Sequence, residues 1–156
     1  MHPSIFINIS AEDLSTSVPF YKAIGFVPFP ICTDETSAML SLASNGYTPA
    51  KDAPPAISVM LHTRDKFDGF LPMDRAGIDA KTSNEVMLCL AAESKAEVDE
   101  LLEKAKKAGA KTDLGMKMGE MQNECVYCRT FADPDGHIWE VVWQKPGMMT
   151  AGEGKE

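Results

Sequence analysis

No stretch of this chain approaches the roughly 18 apolar residues of a membrane span, and its first residues lack a signal peptide's charged and hydrophobic regions. A cytoplasmic protein with no membrane partner is the expectation. Positive charge is also scarce. Fifteen Lys and Arg stand against 23 Asp and Glu, a formal charge of -8, which argues against nucleic acid or an anionic membrane as partner. The chain has only four cysteines. Cys125-Val126-Tyr127-Cys128 is formally a C-x-x-C, yet a zinc ribbon needs a second pair and a redox motif needs a following helix N-terminus. Neither is there, and on a strand the two sulfurs would point to opposite faces. Cys32 and Cys89 sit in apolar, strand-like stretches and read as small buried hydrophobes. A Gly-rich phosphate loop, a nucleophile elbow and a His-Glu-x-x-His are all missing, so nothing specifies a covalent nucleophile.

What the chain does carry is concentrated in Phe131-Ala132-Asp133-Pro134-Asp135-Gly136-His137-Ile138-Trp139-Glu140-Val141-Val142-Trp143. Asp-Pro-Asp-Gly is a tight turn, with Pro fixing φ and Gly accepting a positive φ. The apolar run after it reads as a strand with Glu140 in its middle. A carboxylate there must be paired, ligate a metal or be held protonated, because burying it bare costs several kcal/mol or more. Glu140 is therefore a site candidate.

A weak duplication organises the rest. Phe6 to Asp13 runs into a helical segment closing at Gly25, and Val86 to Glu93 into another closing at Gly109. Aligned at Asp13 and Glu93, the repeat is 80 residues (13 to 93). Strand-to-glycine spacing is 19 residues in the first half (6 to 25) and 23 in the second (86 to 109), so the second helix should be about one turn longer. Ser94 with Glu97 forms a capping box, Val98, Leu101, Leu102 and Ala105 make the apolar stripe, and Gly109 stops the helix. Pro19 is tolerable in the first helix only within its first turn. Strands are expected over Val27 to Cys32, Ser37 to Ala43, Ala56 to His62, Lys111 to Met116, Cys125 to Phe131 and His137 to Gln144. Each half thus reads β-α-β-β-β. The expected organisation is one domain over residues 1–144, with module one at 4–62, a lid-like connection at 63–84, module two at 85–144 and a flexible tail at 145–156.

Asp13-Leu14, Phe20-Tyr21 and Gly25-Phe26, together with Asp133-Pro134-Asp135-Gly136-His137-Ile138-Trp139-Glu140, resemble the vicinal-oxygen-chelate superfamily. It holds glyoxalases, bleomycin- and fosfomycin-resistance proteins and extradiol dioxygenases, and the chain is similar to a glyoxalase-like branch of it. The resemblance implies an α+β fold of two βαβββ modules forming a cup-shaped mixed sheet with helices outside, often paired as a homodimer. It further implies four metal-ligand positions on the first and last strands of the modules. They fall on Phe6, near Met60, on Val86 and on Glu140. Neither a phenyl ring nor a valine can donate to a metal. A rearranged site of one divalent metal at Asn8, His62 and Glu140 stays open beside the expectation of no metal cofactor.

The expected small-molecule cup is lined by Phe6, Asn8, Met60, Val86, Leu88 and Leu90, with Asn8, Glu140 and Arg129 for polar specificity. Phe6, Asn8 and Ser10 share a strand face, as do Met60 and His62, and Tyr127 and Arg129. Glu140 is read either as a catalytic base or hydrogen-bonding anchor inside the cup, or as half of a buried ion pair with Arg129. His62 is either a site residue or a satisfied polar group, and Arg129 either clamps a ligand's acid or neutralises a neighbouring one. Met116, Met118 and Met121 are core filler or an adaptable apolar rim. The function expected is binding of a small organic molecule without the usual metal. The alternative is a metal-assisted lyase, isomerase or dioxygenase using Glu140 as ligand or base.

Overall fold

A computed structural model describes residues 4–42, 55–115 and 123–147. In the first module β1 (Ile5–Ala11) leads to α1 (Leu14–Ala23), β2 (Phe26–Phe29), a 3-10 turn (Pro30–Cys32), β3 (Ser37–Leu42) and β4 (Ile57–Thr63). A short helix, α2 (Arg64–Asp68), opens the connection. The second module repeats the plan with β5 (Leu88–Ala92), α3 (Lys95–Lys107), β6 (Lys111–Thr112), β7 (Val126–Ala132) and β8 (Ile138–Gln144). Two four-stranded mixed sheets result, in the orders β1-β4-β3-β2 and β5-β8-β7-β6. The first strand of each module pairs parallel with the last, and the other pairs are antiparallel. The fold is α+β, two βαβββ modules, and neither sheet closes into a barrel. No helix among the described residues is long and apolar enough to cross a membrane.

Local chemistry explains the helices. Asp13 caps α1 by accepting the Ser15 N–H at 2.8 Å. Ser94 caps α3 through the Glu97 N–H at 3.1 Å, and the Glu97 carboxylate reaches back to the Glu93 N–H at 2.6 Å. The chain leaves α3 through Gly109 at φ +106°, a conformation that side chains resist. The α3 helix is longer than α1, 13 residues against 10, as the glycine spacings require. Pro19 lies in the second turn of α1, not the first. The helix survives because Ser15, whose carbonyl the missing N–H would serve, is exposed to water.

Two other expectations are corrected. Strand β6 is only Lys111–Thr112, because Asp113 turns to φ +54° and its N–H pairs with the Thr130 carbonyl. Cys32 and Cys89 are exposed rather than buried. Cys32 lies in the 3-10 turn, and Cys89 sits on an edge strand, on the face away from α3. The methionines at 116, 118 and 121 and most of the expected tail (148–156) lie outside the described residues.

One apolar core joins the modules. Phe20 and Tyr21 of α1 and Ile24 at its C-cap pack with Leu40, Val59 and Leu61 of the first sheet and with Phe131, Trp139 and Val141 of the second. Val98, Leu102 and Ala105 of α3 complete it. The Asp-Pro-Asp-Gly turn is the polar clasp across this junction. Asp133 Oδ1 accepts from the backbone N–H of Asp135 and His137, and Oδ2 from Tyr21 Oη at 2.5 Å. Asp135 accepts from Ser17 Oγ at 2.5 Å and from the Glu12 N–H at 2.7 Å. Trp139 Nε1 donates to Tyr21 Oη at 3.2 Å. Burial raises the pKa of Asp133 and lifts that of Tyr21 well above its usual value.

Candidate functional site

In the first sheet, odd positions of β1 and β4 face the helices and even positions face away, as period two demands. The outer face carries a polar row at its C-terminal end. Ser10, His62 and Ser37 are cross-strand neighbours, with Asn8, Met60 and Met39 in the row beside them. His62 Nε2 stands 2.9 Å from Asn8 Oδ1, and His62 Nδ1 stands 2.8 Å from Ser37 Oγ. Asn8 Nδ2 donates to the Phe6 carbonyl at 3.3 Å, which leaves Oδ1 as the acceptor facing His62. The assignment that satisfies every atom is a neutral imidazole, donating from Nε2 and accepting the Ser37 hydroxyl at Nδ1. Desolvation lowers the His62 pKa, and the nearby Lys66 ammonium acts in the same direction. Phe70 lays its ring edge-on to His62, with centroids 5.1 Å apart, and Lys66 sits over the Phe70 ring.

The connection between the modules forms the other wall of this region. Arg64 donates to the Ile78 carbonyl at 2.7 Å, Asp68 accepts the Gly77 N–H at 2.8 Å, and Lys81 pairs with Glu12. A cavity of about 170 Å³ remains between β1 and this segment, lined by Asn8, Ser10, Phe67, Ile78, Val86 and Leu88 among others. Asn8, Val86 and Leu88, three of the residues singled out in the sequence, thus meet in one crevice. Met60 neighbours Asn8 across the β1–β4 ladder, and His62 reaches the crevice through Asn8. Phe6 is 46% exposed one row further along β1.

The second sheet departs from the sequence reading by one residue. The cap of α3 is Ser94, whereas Glu93 is the residue the repeat alignment set against Asp13. Aligning the true caps makes Cys89 the counterpart of Asn8. The ladders agree, since Asn8 pairs with Met60 and Cys89 with Glu140. A one-residue slip exchanges the faces of a strand. Leu90 is therefore in the core instead of lining a cup, Leu88 packs against the core while its exposed part lines the crevice at the edge of β1, and Val86 precedes β5. Arg129 and Tyr127 also lie on the helix side. Arg129 binds Asp99 of α3 at 2.9 Å and Asp113 at 2.7 Å, and Tyr127 Oη donates to Asp99 at 2.9 Å. Arg129 is not the partner of Glu140, because its cross-strand neighbour is Val141. The Arg129 pair holds the Asp113 carboxyl below its usual range.

Glu140 shares the outer face with Cys89 and Thr130. Cys89 is exposed as a residue, but partial desolvation of its sulfur and then the neighbouring Glu140 carboxylate push the thiol up to about 12, so it stands there protonated. Cys89, Ser37 and Phe70 are the site-forming residues that the sequence reading did not single out. The register of β5 with β8 is the signal that finds Cys89; contacts distant in sequence find the other two.

These donors fit a metal ion poorly. Both His62 nitrogens and Asn8 Oδ1 are already committed to one another and to Ser37. Met60 and Phe6 offer no hard donor, and the Cys89 thiol beside Glu140 keeps its proton, so it is not a thiolate ligand. Among the described residues no group of three or more His, Cys, Asp or Glu is arranged so that it could hold a metal ion.

The profile of the Glyoxalase/Bleomycin resistance protein/Dioxygenase superfamily matches residues 5–141. No curated protein matches significantly. Among solved structures, a hypothetical protein of S. aureus is similar at 24% identity and a TM-score of 0.66, covering 92% of this chain and 94% of its own. A glyoxalase/bleomycin resistance protein/dioxygenase family enzyme of Burkholderia phytofirmans matches at 16% identity and a TM-score of 0.63, over 89% of this chain and 96% of its own. A lactoylglutathione lyase of Agrobacterium tumefaciens matches at 16% identity and a TM-score of 0.57, over 89% and 91%. At these identities the solved structures speak for the fold, and the profile, spanning nearly the whole repeat, speaks for descent. This chain belongs to the glyoxalase/bleomycin resistance protein/dioxygenase superfamily.

Proposed function

We propose that this protein binds a small organic molecule in the crevice along β1 and does so without its superfamily's usual metal. The observation that carries this reading is the closed Asn8–His62–Ser37 chain, in which a neutral imidazole has no lone pair left for a metal. Apolar walls from Phe67, Ile78, Val86 and Leu88 beside a few fixed polar groups suit an organic ligand. Metal analysis of untagged protein, after exposure to Zn, Ni, Mn and Fe(II), is expected to find no stoichiometric ion. One equivalent retained, and lost in Glu140→Ala, would overturn the reading.

One observation favours a second reading, a metal-assisted lyase, isomerase or dioxygenase. Glu140 stands on the outer face with the protonated Cys89 thiol as its cross-strand neighbour, where a carboxylate could act as base or ligand. Unchanged turnover of a found substrate by Glu140→Gln would end that reading. A homodimer belongs to the proposal as well. Phe6, Val27, Leu42 and Ile57 are large apolar side chains left exposed on the first sheet. Sedimentation velocity giving a monomer at micromolar concentration would exclude it.

A further inference from the structure

Strand β1 is the edge of its sheet, and its backbone divides into two sets. The ladder to β4 uses the odd residues, as the 2.8 Å bond from the Ile5 N–H to the Ala56 carbonyl marks. The N–H and C=O groups of the even residues point the other way, toward the connection and the second module. Three of these are taken by the chain's own side chains. The Phe6 carbonyl accepts from Asn8 Nδ2, the Ser10 carbonyl from His137 Nε2 at 2.8 Å, and the Glu12 N–H donates to Asp135 at 2.7 Å. Between them, the Asn8 N–H, the Asn8 C=O and the Ser10 N–H have no partner among the described residues. Both residues line the 170 Å³ crevice.

The floor of the crevice is therefore a short donor–acceptor–donor array under apolar walls. Its length matters. With the Phe6 and Ser10 carbonyls occupied, a long strand from another protein or a second copy could not carry its ladder beyond this window. Glu85 on the lining disfavours a free carboxylate on the occupant. We infer that the crevice recognises a compact, uncharged amide, an N-acylated dipeptide amide or a molecule with the same acceptor–donor–acceptor edge, by adding it to the free edge of β1. The inference rests on the crevice being the ligand site and names the ligand class it takes.

The test uses the ¹⁵N-labelled full chain titrated with N-acetyl-alanyl-alanine amide, with indole as an apolar probe lacking the matching edge. The expected result is a downfield shift and slowed hydrogen exchange of the Asn8 and Ser10 amides. One of the two single-ester analogues, the one lacking the N–H that the Asn8 carbonyl accepts, should bind about tenfold more weakly. Val86→Trp should abolish the shifts by filling the crevice and leave the rest of the spectrum in place, because Val86 is 63% exposed and outside any strand. Indole shifting crevice residues while the diamide shifts nothing would overturn the amide inference and leave the crevice as an organic-ligand site. If neither probe binds, both readings fall. Asn8 and Ser10 shifts that follow protein concentration alone would mean that a second copy takes the edge, which also overturns the inference.

Discussion

Tyr21 Oη accepts from Trp139 Nε1 and donates to Asp133, whose carboxylate is buried at the junction of the modules. Tyr21→Phe removes that donor and changes little else in shape. The Asp133 carboxylate keeps its two backbone bonds but loses the third, so a loss of about 2–3 kcal/mol is expected in urea denaturation. His62 makes a different prediction. Its folded pKa lies below 6.5, so at acid pH the unfolded chain binds the extra proton first. Stability is then fully present above about pH 6.5 and falls as pH drops toward the folded pKa, by at most about 1.4 kcal/mol per pH unit. His62→Gln should flatten this part of the profile. A thermal-melt series from pH 7.5 to 5 that is parallel in the two proteins would refute it. Neither residue's partners could be read from the chain. Tyr21 and Asp133 are 112 positions apart, and His62 and Asn8 are 54 apart. Glu140 was legible as an unusual carboxylate in an apolar strand, but its partner was not.

At the scale of elements, the turn between β7 and β8 and the connection after α2 constrain each other. Gly136 has φ +97°, and a Cβ there would lie 2.6 Å from Lys81 N and 2.7 Å from Ala80 C. The obstacle is backbone, so it cannot rotate away. Gly136→Ala is expected to cost at least about 2 kcal/mol and to displace residues near Lys81. Hydrogen exchange should show the 78–82 amides speeding up more than those of α3; uniform acceleration would argue against a local clash. Most elements were legible because their signals are local: a cap at Ser94, a stop at Gly109, an apolar stripe on α3. The register of β5 was not. The repeat was anchored at Glu93, whereas the cap of α3 is Ser94, and the Cys89–Glu140 pairing agrees with the cap. That single residue decided whether Leu88 and Leu90 looked outward or inward.

For the whole molecule, the shared core makes a statement about cooperativity. Both tryptophans, Trp139 and Trp143, belong to the second module, whereas Leu40 is buried in the first. Leu40→Ala should remove about 2–5 kcal/mol. Its urea midpoint read by tryptophan fluorescence should move as far as the midpoint read by far-UV circular dichroism, because the modules share a core through α1. A fluorescence midpoint left unmoved would mean that the second module unfolds independently. The sequence by itself determined the doubled βαβββ plan, both ends of α3 and the tight turn before Glu140, because capping, periodicity and turn chemistry act over a few residues. Only the tertiary structure decided which side chains meet. The His62 chain, the Cys89–Glu140 pair, the diversion of Arg129 to Asp99 and the free edge of β1 all depend on strand register and on how the connection folds back. Both are set by contacts between residues far apart in the chain, which no local signal encodes.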